Sequence, residues 1–341
     1  MNKHSRLALV LASACALHAA HAQSSVTMYG IIDNAIEYQN GGAGAAVRMM
    51  SSGLYATVYG LKGKEDLGGG LYANFQLEQG FSAATGAATV ATAAFNRLAW
   101  VGLSGPFGEF RFGRQKKPEY QFLNGVMDPI AGKSLASPYG NFEDVAVRAN
   151  NAIAYFTPNL YGLTTQFMVA MRDQTTKPTN GLELYNVAAR YTNGPFVAGL
   201  GYEQWGNATG TALQRVLRGS LVYRMGKARF FLAYQQERQS DNTENRRIYQ
   251  LSAIYMFNPF NSLTLLYGYA QDRTGAANNA QQVGAMYQYY LSKRTLLYAA
   301  VAVIQNKNQA AYTLNGTQYD GIPVAPGSYA RGVIVGMAHK F

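Results

Sequence analysis

The chain has 341 residues, and only 14% of them are charged, against roughly a quarter in an ordinary soluble protein. Its formal net charge is +11, and 13% of its residues are aromatic. Beyond the N-terminus, no segment approaches the roughly 18 consecutive apolar residues that a spanning helix needs, so the sequence excludes a helical transporter.

The first predicted element is a secretory signal peptide over residues 1–22. Two basic residues precede an apolar run, and residues 20–22 form an A-x-A cleavage site. The mature domain would then cover residues 23–341 and contain no cysteine and one histidine, His339. We therefore expect no zinc site, no disulfide and no cofactor. We also expect no enzyme, because serine–histidine catalysis would depend entirely on His339.

Segments of alternating polarity follow, from residue 24 to the C-terminus. Residues 71–78 place Leu, Ala, Phe and Leu on one face and Tyr, Asn, Gln and Glu on the other. Residues 249–257 and 283–291 repeat this pattern with tyrosines on the apolar face. A period of two residues predicts β-strands with one apolar and one polar face.

Turn-forming residues separate these strands, and two classes of connection alternate along the chain. Seven connections are short, and eight are longer and polar. The longer ones cover residues 39–46, 81–91, 116–147, 173–182, 206–213, 239–245, 273–279 and 306–328. Seven and eight connections give sixteen antiparallel strands with both termini on the short-turn side, a pattern typical of bacterial outer-membrane barrels.

A closed barrel also suits lipid, where every backbone N–H and C=O group must be paired within the protein. Alternation alone does not separate such a barrel from a soluble sandwich or propeller. Many tyrosines lie near the predicted strand ends, as in the aromatic girdles of membrane barrels, and the polar faces carry Gln, Asn and Ser. We therefore predict an all-β, 16-stranded antiparallel transmembrane β-barrel.

Several sequence blocks carry a resemblance to a known family. They are SVTMYG at 25–30 with Asp33, GLKG at 60–63 with EDLG at 65–68, FQLE at 75–78, FNRLAWVGL at 95–103, and GMAHKF at 336–341. In this order and spacing they resemble the Gram-negative general porins, a trimeric sixteen-stranded family, in its β-proteobacterial branch. The resemblance implies a homotrimer in the outer membrane, in contact with lipopolysaccharide. It also implies that the barrel-assembly machinery recognises the terminal Phe341.

The connection over residues 116–147 is long, and it is too apolar for a solvated tail. The resemblance implies that this third loop folds into the barrel, narrows the lumen and faces a wall of basic side chains; the alternative is an ordinary exposed loop. The expected wall residues are Lys62, Arg97, Arg111, Arg114 and Arg148. The acidic residues of the loop are Glu119, Asp128, Glu143 and Asp144.

Alternation predicts which wall side chains face the lumen. Lys62 and Arg111 lie on faces that alternation directs inward, whereas Arg114 could fall on either side. After Arg97, alternation places Val101 on the lumen face and Trp100 on the outer face. Each basic residue could also be a solvated or paired lumen residue without effect on conductance.

These features predict a channel for passive diffusion of small hydrophilic solutes and ions. The loop-three acid that the family usually carries is replaced by Ile130, so we expect a weak preference for anions. The alternatives are a solute-specific porin and, with less support, a closed barrel that serves as an adhesin or structural anchor. We expect no nucleic-acid partner, because the basic residues are spread through alternating strands rather than grouped.

Overall fold

The computed structural model describes residues 25–172, 182–206 and 211–341 of the chain. The predicted signal peptide over residues 1–22 lies outside them. In the described part, seventeen β-strands form one sheet, and every neighbouring pair is antiparallel. No helix in these residues is long and apolar enough to cross a membrane.

The secondary structure follows the chain in order. The strands are β1 Ser25–Asn40, β2 Ala45–Ser51, β3 Val58–Gly68, β4 Leu71–Gly80, β5 Leu98–Gly105, β6 Gly108–Lys116, β7 Arg148–Phe156, β8 Leu163–Met171, β9 Leu182–Asn193, β10 Phe196–Gly206, β11 Leu213–Met225, β12 Ala228–Gln239, β13 Asn245–Asn258, β14 Asn261–Asp272, β15 Ala280–Tyr290, β16 Thr295–Asn306 and β17 Tyr329–Lys340. Two helices, α1 Pro118–Met127 and α2 Pro138–Phe142, lie between β6 and β7.

The sheet closes on itself because β1 pairs with β17 along one edge and with β2 and β3 along the other. β2 pairs with residues 34–40 of β1, and β3 pairs with residues 25–31. β2 and β3 therefore make up a single barrel strand, and the seventeen strands form a barrel of sixteen. The predicted strand number and antiparallel closure are confirmed.

The break between β2 and β3, at residues 52–57, is held by the buried carboxylate of Asp33. Its Oδ2 accepts a hydrogen bond from the Tyr55 backbone N–H at 2.7 Å, and its Oδ1 accepts one from the Tyr298 hydroxyl at 2.6 Å. Ser52 adopts a positive φ of 72° where the strand leaves the ladder. The break turns Tyr55 toward the barrel interior, where it lines two cavities.

Seven short connections lie at the barrel end that carries both described termini, and eight connections lie at the other end. The prediction that the first of these eight is long is wrong, because residues 41–44 alone join β1 to β2. Three glycines fall in residues 41–44, and Gly42 has a φ of 81°, so the chain reverses tightly and the following alanines pair in the ladder. The predicted loop at 173–182 falls almost wholly outside the described residues, as do 207–210 of the loop at 206–213.

The two faces of the barrel wall reverse the arrangement of a soluble protein. In β17, Val333 and Val335 are 47% and 59% exposed, whereas Ile334 between them is fully buried. In β12, Leu232 is 59% exposed, while Gln235 lies on the inner face and is fully buried. Apolar side chains therefore cover the outside, and polar ones are concentrated inside, as expected for a barrel surrounded by lipid.

Candidate functional site

The longest connection, residues 117–147, contains α1 and α2, and we call it the L3 segment. Pro118 begins α1, where its missing N–H costs nothing, and the Ser137 Oγ caps α2 by accepting a hydrogen bond from the Gly140 N–H at 2.9 Å. Several of its apolar side chains, such as Leu123 and Phe142, are fully buried. α1 packs against β8 to β12, and α2 packs against β13 to β15.

Hydrogen bonds fasten the L3 segment to inner-face residues of the wall. The Tyr139 backbone N–H donates to Gln250 Oε1 at 2.8 Å, and the Asn141 side chain donates to Gln282 Oε1 at 2.9 Å. At Gly284 the approach is close enough that a Cβ atom would lie 2.2 Å from the Ala136 carbonyl oxygen. The wall glycine is therefore required by the position of the L3 backbone.

Buried charges provide a second connection, which we call the charge cluster. It consists of Lys117, Glu119 and Glu143 of the L3 segment with Glu203 and Arg218 of the wall. The Arg218 guanidinium lies 3.5 Å from Glu119 Oε1 and 3.4 Å from Glu143 Oε2, and Lys117 pairs with Glu203. Asn186 donates hydrogen bonds to both Glu119 and Glu203.

The two L3 carboxyls of the charge cluster, Glu119 and Glu143, respond differently to burial. Burial raises the pKa of Glu119, but the charges of Arg218 and Lys117 outweigh it, so the pKa lies below its ordinary value. For Glu143, burial exceeds the opposing effect of Arg218 and raises the pKa to about 7. Both side chains thus serve to hold the L3 segment against β11.

A cavity of about 400 Å³ lies between β3 to β6 and the L3 segment, and we call it the main cavity. Its charged lining residues are Glu78, Arg97, Arg111, Lys116 and Lys133. Glu78 Oε1 accepts a hydrogen bond from Arg97 Nε at 2.7 Å. The lining therefore carries four basic groups and one carboxylate. The described residues contain no group of three or more His, Cys, Asp or Glu that could hold a metal ion.

A second cavity of about 400 Å³, the lower cavity, continues toward the short-turn end. It is lined by Lys62, among others, and shares Gln76, Trp100 and Arg111 with the main cavity. The Arg111 guanidinium lies 4.2 Å from the ring centres of both Trp100 and Phe156. These rings fix the cation between the two cavities.

The structure brings some of the expected wall residues to these cavities. Arg97 lines the main cavity, Lys62 lines the lower cavity and Arg111 lines both. Arg114 and Arg148 are not among the lining residues of either. The Arg114 Nε atom instead donates to the backbone carbonyl of Asn96 at 2.8 Å.

The acidic residues of the L3 segment differ from the sequence expectation, because none of the four lines the main cavity. Glu119 and Glu143 belong to the charge cluster. Asp128 is fully buried and accepts hydrogen bonds from the Ile130 N–H at 2.7 Å and from the Ser137 hydroxyl. Asp144 is exposed and lines neither cavity. The buried acids satisfy internal cations and amides instead of facing the open space.

The orientation predicted for Trp100 is wrong, since it is buried, lines both cavities and leaves Val101 on the outer face. Arg97 precedes β5, and the backbone before it is irregular, with a positive φ of 52° at Phe95. The side on which the Arg97 side chain lies therefore does not predict which residues of β5 face inward. Sequence reasoning also missed three charged lining residues. They are Glu78, Lys116 and Lys133. Glu78 lies within the FQLE block, and alternation along residues 71–78 places its side chain on the polar face. This alternation was the signal that could have identified Glu78 as a lining residue.

Comparisons with known proteins agree over nearly the whole chain. The family model described as Gram-negative porin matches residues 7–309. Outer membrane porin protein 32 of Delftia acidovorans is 34% identical, over 98% of this chain and 99% of the relative. Major outer membrane protein P.IB of Neisseria meningitidis is 26% identical, over 99% of this chain and 100% of the relative. The anion-selective porin from Comamonas acidovorans, a solved structure, matches with a TM-score of 0.82 and 30% identity, over 94% of this chain and 100% of that chain.

Proposed function

Because this chain belongs to the Gram-negative porin family, we propose that its outer-membrane channel admits small anions more readily than cations of the same size. The protein is a barrel of the bacterial outer membrane through which small hydrophilic solutes and ions diffuse passively. The similar solved structure from Comamonas acidovorans is described as anion-selective.

The observation that carries the proposal is the charge of the main cavity, four basic side chains against the single carboxylate of Glu78. A ring of fixed charge selects ions by sign where the lumen is narrow. Two unit charges about 4 Å apart in water interact by about 1 kcal/mol, so each lining cation alters the passage of a small ion several-fold. Charges outside the narrow region act over only about 8 Å at physiological salt, so the lining should dominate.

The proposal includes an inward position for the L3 segment, which would make the main cavity the narrow part of the lumen. Its wall partners Gln250, Gln282 and Arg218 support this, because they lie on the face opposite to the exposed apolar side chains. The same arrangement accounts for the wall glycine at position 284. Apolar residues of the segment then pack inside the barrel instead of facing solvent.

We also propose that the channel forms a homotrimer, contacts lipopolysaccharide and uses Phe341 as its assembly signal. The backbone N–H and C=O of Phe341 each pair with Gly30 at 3.1 Å, so the terminal residue completes the closing strand pair. Unheated protein should migrate as a trimer on detergent electrophoresis and convert to monomer on heating. A species of monomer size in the gentlest detergent would contradict the trimer.

Reversal potentials in planar bilayers with a KCl gradient test the anion preference. The unmodified channel should give the sign of anion preference, and Glu78→Gln should strengthen it, since the lining then carries no carboxylate. Asp144→Asn is the matched control, because it removes a carboxylate that lines neither cavity. A cation-selective wild type, or an equal effect of the two substitutions, would show that the main cavity does not set the preference.

A further inference from the structure

A third cavity, of about 470 Å³, lies on the other side of the L3 segment, and we call it the side cavity. Residues 129–131 and Lys133 of the L3 segment form one side of it. The opposite side comes from inner-face residues of β13 to β15, such as Ser262 and Gln288, both of which are buried. Tyr55, Ala131 and Lys133 line both this cavity and the main cavity, so the two are neighbours.

The charged residues that line the side cavity are all basic: Lys133, Arg229 and Lys293. No carboxylate is among the lining residues, and none of the three cations forms an ion pair with any residue in the described ranges. In the sheet ladder, Arg229 also lies directly opposite a second arginine, Arg224. Like charges opposite each other in a ladder are unfavourable, so the sequence concentrates positive charge here without a direct ion pair in the described residues.

The chemistry around these cations suits a small polar anion better than an apolar ligand. Ser262, Gln288 and Tyr290 add hydroxyl and amide groups to a lining that takes one cation from the L3 segment and two from the wall. Burial and the nearby charges of Lys116 and Lys340 outweigh the opposing charge of Asp33 and lower the pKa of Lys133 to about 8, so a bound anion would favour its protonated form. Guanidinium and ammonium groups are the usual partners of phosphate oxygens in proteins.

We propose that the side cavity is a binding site for a small multivalent oxyanion of the phosphate class, held by Arg229 and Lys293 of the wall and Lys133 of the L3 segment. The inference rests on the proposed function in one respect, because its readout requires chloride to pass through the lumen beside the cavity. A bound oxyanion would add negative charge beside Lys133, which also lines the main cavity. Occupancy of the side cavity should therefore lower the chloride conductance of the channel.

The test uses inorganic phosphate on the full-length channel in planar bilayers at about pH 7 and low, constant ionic strength, because exposed charges are screened by salt. Chloride conductance should fall with phosphate concentration and then saturate. Arg229→Gln with Lys293→Gln should raise the half-saturating concentration at least about tenfold, because two charge-assisted contacts are lost. Arg229→Lys with Lys293→Arg keeps the charges and should leave that concentration within about threefold of wild type.

Lys227→Gln provides the matched control, since this exposed cation lies in a turn at the same barrel end and outside the side cavity. The proposal would be overturned if the half-saturating phosphate concentration were the same in the double glutamine variant as in wild type. It would also be overturned if the chloride conductance of wild type showed no saturation with phosphate. A phosphate effect that disappears with Arg97→Gln instead would assign binding to the main cavity and also overturn it. Failure of the proposed anion preference is distinguishable from failure of the phosphate site, because it would appear in the reversal potential in KCl before any phosphate is added.

Discussion

Arg218→Met removes the guanidinium that joins the L3 segment to β11. Arg218 is 1% exposed and lies 3.5 Å from Glu119 and 3.4 Å from Glu143, and its Nε atom donates to Gln235 at 2.6 Å. Methionine retains much of the side-chain length but none of the charge. The substitution therefore leaves Glu143 without its cation, and it leaves Glu119 with only the more distant Lys117, at 4.0 Å.

Breaking one side of a buried ion pair costs about 3–5 kcal/mol, because the remaining charge is buried without a partner. Glu143 can reduce this loss by taking up a proton, because burial already raises its pKa to about 7 and the loss of Arg218 raises that pKa further above the unfolded value. For such groups, stability is fully present below the unfolded pKa and is lost as pH rises through the folded pKa. The deficit should therefore be several kcal/mol near pH 8 and distinctly smaller near pH 5.

Urea unfolding in lipid vesicles, followed by the fluorescence of the two tryptophans, measures this deficit. Arg215→Met is the matched control, because Arg215 belongs to the same strand but is exposed on the outer face. The control should change the free energy of unfolding by less than about 0.5 kcal/mol. If Arg218→Met were equally mild, or if its deficit did not grow with pH, the charge cluster would not hold the L3 segment.

Two further predictions concern the L3 segment. Burial lowers the pKa of Lys133 to about 8, so its charge is lost as pH rises through 8. The anion preference, measured as a reversal potential, should therefore fall between about pH 7 and 9 in wild type and stay flatter in Lys133→Arg; a rise would contradict the assignment. Gly284→Ala places a methyl group against the Ala136 carbonyl and should cost about 1–3 kcal/mol in urea unfolding. Gly219→Ala, where the space is open, should cost less, and equal losses would contradict the close approach.

Much of the barrel follows from local sequence, because strand alternation and turn residues each span only a few positions. This is why the number of strands and the alternation of connections could be predicted. The division of the second barrel strand into β2 and β3 could not, since it depends on Asp33 and its contact with Tyr298, which are 265 positions apart. No pattern in the local sequence predicts such a long-range contact.

The lining of the main cavity was harder to predict than the barrel. Arg111 lies within a regular strand, so alternation correctly predicts that its side chain faces the interior of the barrel. Alternation counted from Arg97 predicts the wrong face for Trp100, because the backbone before β5 is irregular and Arg97 lies outside the strand. In the L3 segment no period relates one side chain to the next, so neither the burial of Glu119 nor the position of Lys133 could be inferred. Their partners come from distant strands.

Charge reversal within the main cavity tests the central claim most directly. Arg97→Glu with Lys133→Glu changes the lining from four cations and one carboxylate to two cations and three carboxylates. The control, Arg215→Glu with Lys227→Glu, changes the net charge of the protein equally at exposed positions outside that cavity. In a KCl gradient, the reversal potential should change sign to cation preference in the first variant and keep the wild-type sign in the control. An unchanged sign in the first variant, or equal shifts in both, would contradict the claim that the main cavity selects the ions.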